Sequence, residues 1–156
     1  GKRAQVKIVG PANHDDIEQL KKIIQSNGLD NYVKLIGPLF GKEKEDFLKK
    51  GIDLFIHTSR WEGLPLSVLE ALSYGIPVLV TKETNMAGYV NQYGAGWVLE
   101  NSSAECINAT LENILNEKNY KQKGINAKKL ANQVFSWCEV TKMLSEQVQM
   151  CLNQCN

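Results

Sequence analysis

Apolar and polar positions along this chain fall into short blocks whose period keeps changing, from that of a strand to that of a helix and back. Gln5–Val9 (QVKIV) is an apolar-rich run that stops at Gly10-Pro11, a turn signal. Asn13 or His14 starts a helix in which Ile17, Leu20, Ile23 and Ile24 recur at helical spacing. Asp15, Asp16 and Glu18 load its first turn and Lys21 and Lys22 follow, an order that suits the helix macrodipole; Gly28 is the stop. A second strand, Tyr32–Ile36, ends at Gly37-Pro38, and Lys42–Lys50 predicts a short helix closed by Gly51. Ile52–His57 is the third strand, with an apolar content that suits the middle of a parallel sheet. A helix over Pro65–Tyr74 ends at Gly75, Pro77–Thr81 is the fourth strand, a short helix lies around Met86–Asn91, and Gly96–Leu99 is a further strand. The remainder is helical: Ser103–Asn116, Tyr120–Val134, and Ser136 to about Leu152.

Strands alternating with helices over short connections predict βαβ units, hence a doubly wound, Rossmann-like α/β fold with a parallel sheet and helices on both faces. The 156 residues fit one domain with a genuine core. Ligands of such sheets sit beyond the carboxyl ends of the strands, which directs attention to Gly10–Asn13, Gly37–Gly41, Thr58–Leu64 and Lys82–Ala87.

Charge and cysteine content narrow the function. With 18 basic and 17 acidic residues the net charge is +1, so no global field favours nucleic acid and any bound anion must be held locally. Cys106, Cys138, Cys151 and Cys155 form no CxxC and lie far in sequence from His14 and His57, which argues against zinc. Cys151 and Cys155 share a helical face at i, i+4 as small apolar groups. No secretory signal and no membrane-length apolar run occur, so a cytoplasmic, reducing compartment is the expectation. The chain lacks a starting Met and opens almost directly into a strand, which leads us to expect an excerpt of a longer protein.

The stretch Ser59–Ala71 (SRWEGLPLSVLEA) carries the chemistry. It begins where a buried strand ends and turns into a helix. Pro65 suits the first helical position, because its missing N–H would have no intrahelical partner. The N–H groups of Leu66, Ser67 and Val68 then face outward with the positive end of the dipole behind them, a ready seat for phosphate. Gly63 removes a side chain where a ligand must approach the backbone. Val68, Leu69 and Leu72 form the core side of the helix, while Ser67, Glu70, Ser73 and Tyr74 form another stripe. Helical side chains lean toward the N-terminus, so the Glu70 carboxylate reaches over the phosphate turn, where sugar hydroxyls are suitable donors. Glu62 enters the same cavity from the loop. Each glutamate alone reads as solvated; both together on a Gly63- and Pro65-marked strand-to-helix turn point to a ligand with hydroxyls at both ends and a negative middle.

The run EGLPLSVLEALSYGIPVLVT resembles the C-terminal, donor-binding domain of GT-B retaining glycosyltransferases of family 4, also called group 1. Two glutamates seven residues apart (Glu62, Glu70), followed by Glu70-Ala71 and Gly75-Ile76-Pro77-Val78, carry the likeness. It extends to the opening strand at Val9-Gly10, to Val33–Gly37 and to Phe135-Ser136-Trp137. The resemblance implies that Glu70 binds the donor ribose, and that Glu62 contacts the donor sugar near its C3 hydroxyl as the catalytic-site residue. It also implies that the amides of Gly63 and Leu64 face the sugar, those of Leu66 and Ser67 the diphosphate and ribose, and that Gly37, Pro38 and Leu39 flank the base. A hexosyltransferase is implied, moving sugar from a nucleoside diphosphate sugar to a glycan or lipid acceptor with retention. No metal or cofactor is implied, because protein dipoles and basic groups neutralise the leaving diphosphate.

Three departures qualify the likeness. The family's diphosphate-gripping Arg and Lys belong to a strand-helix unit expected before Gly1, and its acceptor-binding N-terminal domain is likewise expected outside these residues. Gly88 stands about where the family often carries a glutamate. The expectation is therefore a donor-binding half that is inactive alone, the whole protein acting in polysaccharide biosynthesis in the cytoplasm, peripherally at the inner membrane face. A non-catalytic nucleotide-sugar-binding or assembly module of the same fold is the alternative, with a GT-B epimerase or phosphorylase as nearer rivals than a dinucleotide enzyme, since no GxGxxG follows the first strand. Among other residues, His57 is read as packed or beside the ligand, Arg60 as a loop arginine, and Lys82 as lying at the cleft edge with Thr81 and Thr84. Trp61 and Trp137 are read as packing anchors, Trp97 as core, and Lys42, Lys44, Lys49 and Lys50 as a solvated helix face.

Overall fold

The computed structural model describes residues 4–154. The chain divides into two compact units, one up to Phe47 and one from Leu48.

In the first unit, β1 (Val6–Val9) pairs in parallel with β2 (Val33–Gly37), with a register shift between Ile8 and Val9. A parallel pair needs a crossover, supplied by α1 (His14–Ser26). Asn13 caps that helix by accepting the Asp16 N–H at 2.8 Å, and Asp15 and Asp16 occupy the first turn. Ile24 is buried, and Gly28, with φ of 63°, lets the chain turn back toward β2. α2 (Gly41–Lys50) follows.

The second unit is built on a parallel sheet of β3 (Phe55–His57), β4 (Val78–Thr81) and β5 (Gly96–Leu99), in that order. The strand predicted at Ile52–His57 is shorter, and it lies at the edge of this sheet. β4 takes the middle, all four of its residues buried. The apolar residues Ile52 and Leu54 pack against the two cores from outside the strand, so they do not extend it. Alternation along β4 sends Val78 and Val80 to one core and Leu79 to the other. On the first side lie α3 (Leu66–Ser73), α4 (Ala87–Tyr93) and α6 (Tyr120–Val134), through Val68, Leu72, Val90 and Leu130. On the second lies α5 (Ala104–Asn116), through Ile114. Each fully buried Leu or Val contributes about 1.5–3 kcal/mol, so this double-sided burial is what holds β4 in place. α7 (Trp137–Gln154) closes the described chain. The helical face expected to be shared by Cys151 and Cys155 lies partly outside the described residues, because Cys155 does.

α3 ends in a Schellman motif: the Ile76 N–H donates to Ala71 O at 3.0 Å and the Gly75 N–H to Leu72 O at 2.9 Å, with Gly75 at φ of 74°. Immediately against it runs α6, whose Gly124 comes so close that a Cβ there would stand 2.7 Å from Gly75 O. Only glycine allows that approach. It fixes the carboxyl end of α3, and through the helix the amino end as well.

Two tryptophans differ from expectation. Trp61 and Trp137 are each 84% exposed, so neither anchors the packing among the described residues. Both precede or open a helix on the outer surface, where no facing element covers them. Trp97 is partly buried, packed against the second core, and its indole N–H donates to Glu117 Oε2 at 2.7 Å. Lys123 lies over the same ring, donates to Gly96 O at 3.2 Å and pairs with Glu117 at 3.7 Å.

Candidate functional site

The loop after β3 is held from beneath by two threonines. Thr81, the last residue of β4, is buried, and its hydroxyl donates to Ser59 O across 22 positions of sequence. Thr84, also buried, donates its hydroxyl to Thr81 O at 2.8 Å, and its backbone forms an isolated parallel bridge with Glu62. Ser59 Oγ donates to Trp61 O at 2.8 Å, tightening the turn between. Buried hydroxyls need partners, and backbone carbonyls supply them, one from the loop and one from the end of β4. Sequence reasoning placed Thr81 and Thr84 at the cleft edge and missed this clamp; polar residues closing an otherwise apolar strand were its only signal.

Glu62 is thereby fixed at its backbone. Its side chain is 37% exposed, and its Oε2 lies 3.5 Å from Nε2 of His57, itself 22% exposed at the end of β3. Glu70 sits half-buried in the second turn of α3, its core neighbours Val68, Ala71 and Leu72 being fully buried. Neither acid points wholly into bulk solvent.

The start of α3 differs from expectation by one position. Pro65 is the N-cap, with φ −74° and ψ 98°, and Leu66 is the first helical residue. Proline has no side-chain oxygen to cap with, so no side chain answers the first N–H groups. The Val68 N–H donates to Pro65 O at 3.0 Å, which removes it from the predicted phosphate seat. The Leu66 and Ser67 N–H groups have no partner among the described residues. A Cβ at Gly63 would meet nothing within 4 Å and its φ is not positive, so protein packing does not explain that glycine. Leu64 and Leu66 are exposed at the rim.

Glu62, Gly63, Leu64, Leu66 and Ser67 thus follow one another round the corner beyond the carboxyl end of β3, with Glu70 one turn into α3. Gly37, Pro38 and Leu39 stand at the carboxyl end of β2, in the first unit. Lys82 pairs with Glu100 at 3.7 Å. Among the described residues no three His, Cys, Asp or Glu side chains gather to hold a metal, and no helix is long and apolar enough to cross a membrane.

Residues 1–131 match the family described as glycosyl transferases group 1. The chain belongs to that family. Within it, the chain is 28% identical over 105 residues to the amylovoran biosynthesis glycosyltransferase AmsK of Erwinia amylovora, covering 63% of this chain and 26% of that protein. It is 34% identical over 92 residues to the UDP-Gal:alpha-D-GlcNAc-diphosphoundecaprenol alpha-1,3-galactosyltransferase of Escherichia coli, covering 54% of this chain and 24% of that protein. It therefore spans about a quarter of the length of these relatives. The crystal structure of Anabaena HepE in complex with UDP-glucose superposes with a TM-score of 0.78 at 22% identity, over 94% of this chain and 41% of that one. Its fold is that of a GT-B glycosyltransferase domain.

This glycosyltransferase domain also has a cavity of about 680 Å³ at the opposite end of β4, lined by Ile52, Asp53, Tyr74, Pro77, Tyr120 and Lys128 among others. It includes none of the corner residues. The two glutamates and the free helix amides lie at the corner and not in this cavity. In the cavity wall the Tyr120 hydroxyl is buried without a partner, and burial, with Asp53 nearby, pushes its pKa up to about 12.

Proposed function

We propose that this domain binds a nucleoside diphosphate sugar at the α3 corner and presents it for transfer, with retention, to a glycan or lipid acceptor held elsewhere in the whole protein. The observation that carries the reading is the pair of unanswered N–H groups, Leu66 and Ser67, opening α3 between two partly buried acids. A helix start with free donors favours an anion, and diphosphate is the anion a sugar donor brings. Glu70, leaning back over that turn, takes the ribose hydroxyls. Glu62 takes hydroxyls of the sugar, with the amides of Gly63 and Leu64 beside it, and the open space where a Gly63 side chain would stand leaves room for that approach. The diphosphate charge is met by helix dipole and amides, so a resident metal is not part of the proposal. Support from relatives is that solved HepE complexes contain UDP and UDP-glucose, and that a curated relative is named for a UDP-linked galactose and a diphosphoundecaprenol acceptor.

The test is calorimetry of this chain with UDP, GDP and UDP-glucose, before and after chelation. Binding that survives chelation and falls at least tenfold in Glu70→Ala is expected, a hydrogen bond to a charged group contributing about 1.5–3 kcal/mol. Unchanged affinity in that variant would remove Glu70 from the ribose and with it the reading of the corner.

A further inference from the structure

Nε2 of His57 is buried and has no hydrogen-bond partner, although the residue stands at the end of a strand beside the candidate site. A buried ring nitrogen left unpaired is costly and uncommon. The polar atom facing it is Oε2 of Glu62, at 3.5 Å. That separation is slightly beyond a formed N–H···O bond, and bonds of this kind at active sites shorten when the ligand arrives. The two residues also differ in rigidity. His57 belongs to β3 and is held in register opposite Val80 of the buried central strand. Glu62 belongs to a loop, and only its backbone is fixed, by the bridge to Thr84.

From this geometry we infer that His57 is a positioning residue: its Nε2–H donates to the Glu62 carboxylate and aims the other carboxylate oxygen at the donor sugar. The inference rests on the reading of the corner as a nucleotide-sugar site, and deepens it. His57 acts through Glu62 and does not touch the ligand. A flexible acid on a loop gains a fixed direction from a rigid neighbour, and a buried nitrogen gains its acceptor.

The readout is the gain in affinity of UDP-glucose over UDP, because Glu62 serves the sugar and not the nucleotide. His57→Ala is expected to reduce that gain about tenfold, the scale of one hydrogen bond to a charged group, while UDP affinity stays the same. A merely structural histidine would lower both affinities together. His57→Gln, whose amide N–H reaches about as far as Nε2, is expected to restore most of the gain. In a Glu62→Ala background, His57→Ala should have no further effect.

If Glu62→Ala abolishes the gain and His57→Ala leaves it intact, the positioning role fails and the corner assignment stands. A further loss from His57→Ala in the Glu62→Ala background would show direct ligand contact and overturn the inference as well. If Glu62→Ala leaves the gain unchanged, or the unaltered chain binds neither nucleotide, the proposed site itself fails and His57 falls with it.

Discussion

Replacing Gly124 by alanine tests whether the junction of α3 and α6 depends on the backbone contact seen there. A Cβ at this position would lie 2.7 Å from Gly75 O, and 3.9 Å from Pro77 Cδ. The neighbour that must yield is a backbone carbonyl, and Gly75 is tied into the Schellman turn at φ of 74°. It cannot swing aside as a side-chain end would. Overpacking of this kind costs about 1–3 kcal/mol. Alanine in a helix interior offsets about 1 kcal/mol of it. A net destabilisation of up to about 2 kcal/mol follows, equivalent in a domain of this size to a fall in Tm of up to roughly 8 °C. Gly88, in α4, is the matched control: a Cβ there meets nothing within 4 Å, so Gly88→Ala should hold or raise Tm through helix propensity alone. Thermal unfolding of both variants by circular dichroism makes the comparison. A Gly124→Ala protein as stable as Gly88→Ala would refute the claim that glycine at this contact fixes α3.

Thr81→Val should remove the hydroxyl that holds Ser59 O and cost about 1–3 kcal/mol in urea unfolding, the carbonyl being left without its donor; it should also weaken UDP-glucose binding more than UDP binding, as the Glu62 loop loosens. An equal effect on both ligands would argue against the clamp. Glu117→Ala leaves the Trp97 N–H without its acceptor and Lys123 without its ion-pair partner and should destabilise by about 1–3 kcal/mol, whereas Glu117→Gln keeps an acceptor for the indole and should cost less than about 1 kcal/mol. Two variants of equal stability would show that the cluster is incidental. For Tyr120 the folded pKa is raised, so the fold favours the neutral hydroxyl: that contribution is complete below the unfolded value near 10 and is lost as pH climbs toward about 12. Tyr120→Phe should flatten the alkaline decline of stability in that window, and an unchanged slope would contradict the burial of the hydroxyl.

Much of this protein could be read from its one-dimensional pattern, because the signals are local. Helix periods, the Asn13 and Ser103 caps and the glycine stops act within a turn or two, and they set every helix boundary to within about two residues. The candidate corner is local in the same sense. Glu62, Gly63, Pro65 and Glu70 lie within one strand-turn-helix unit, so their spacing alone brings them to one corner. The errors there were of a single hydrogen bond: Val68 donates to Pro65 O once proline becomes the cap.

Tertiary structure decided whatever depends on residues distant in sequence. Apolar content cannot distinguish the centre of a sheet from its edge, and pairing in space put β4 at the centre and the strand expected there, Ile52–His57, at the edge. The exposure of Trp61 and Trp137 follows from having no element opposite them, which no property of an indole foretells. The threonine clamp on Ser59, the pairing of Lys82 with Glu100, the Gly75–Gly124 approach and the meeting of His57 with Glu62 all arise from how the loops and helices pack around one buried strand. Periodicity specifies which face of an element is apolar; only packing specifies which atom it meets.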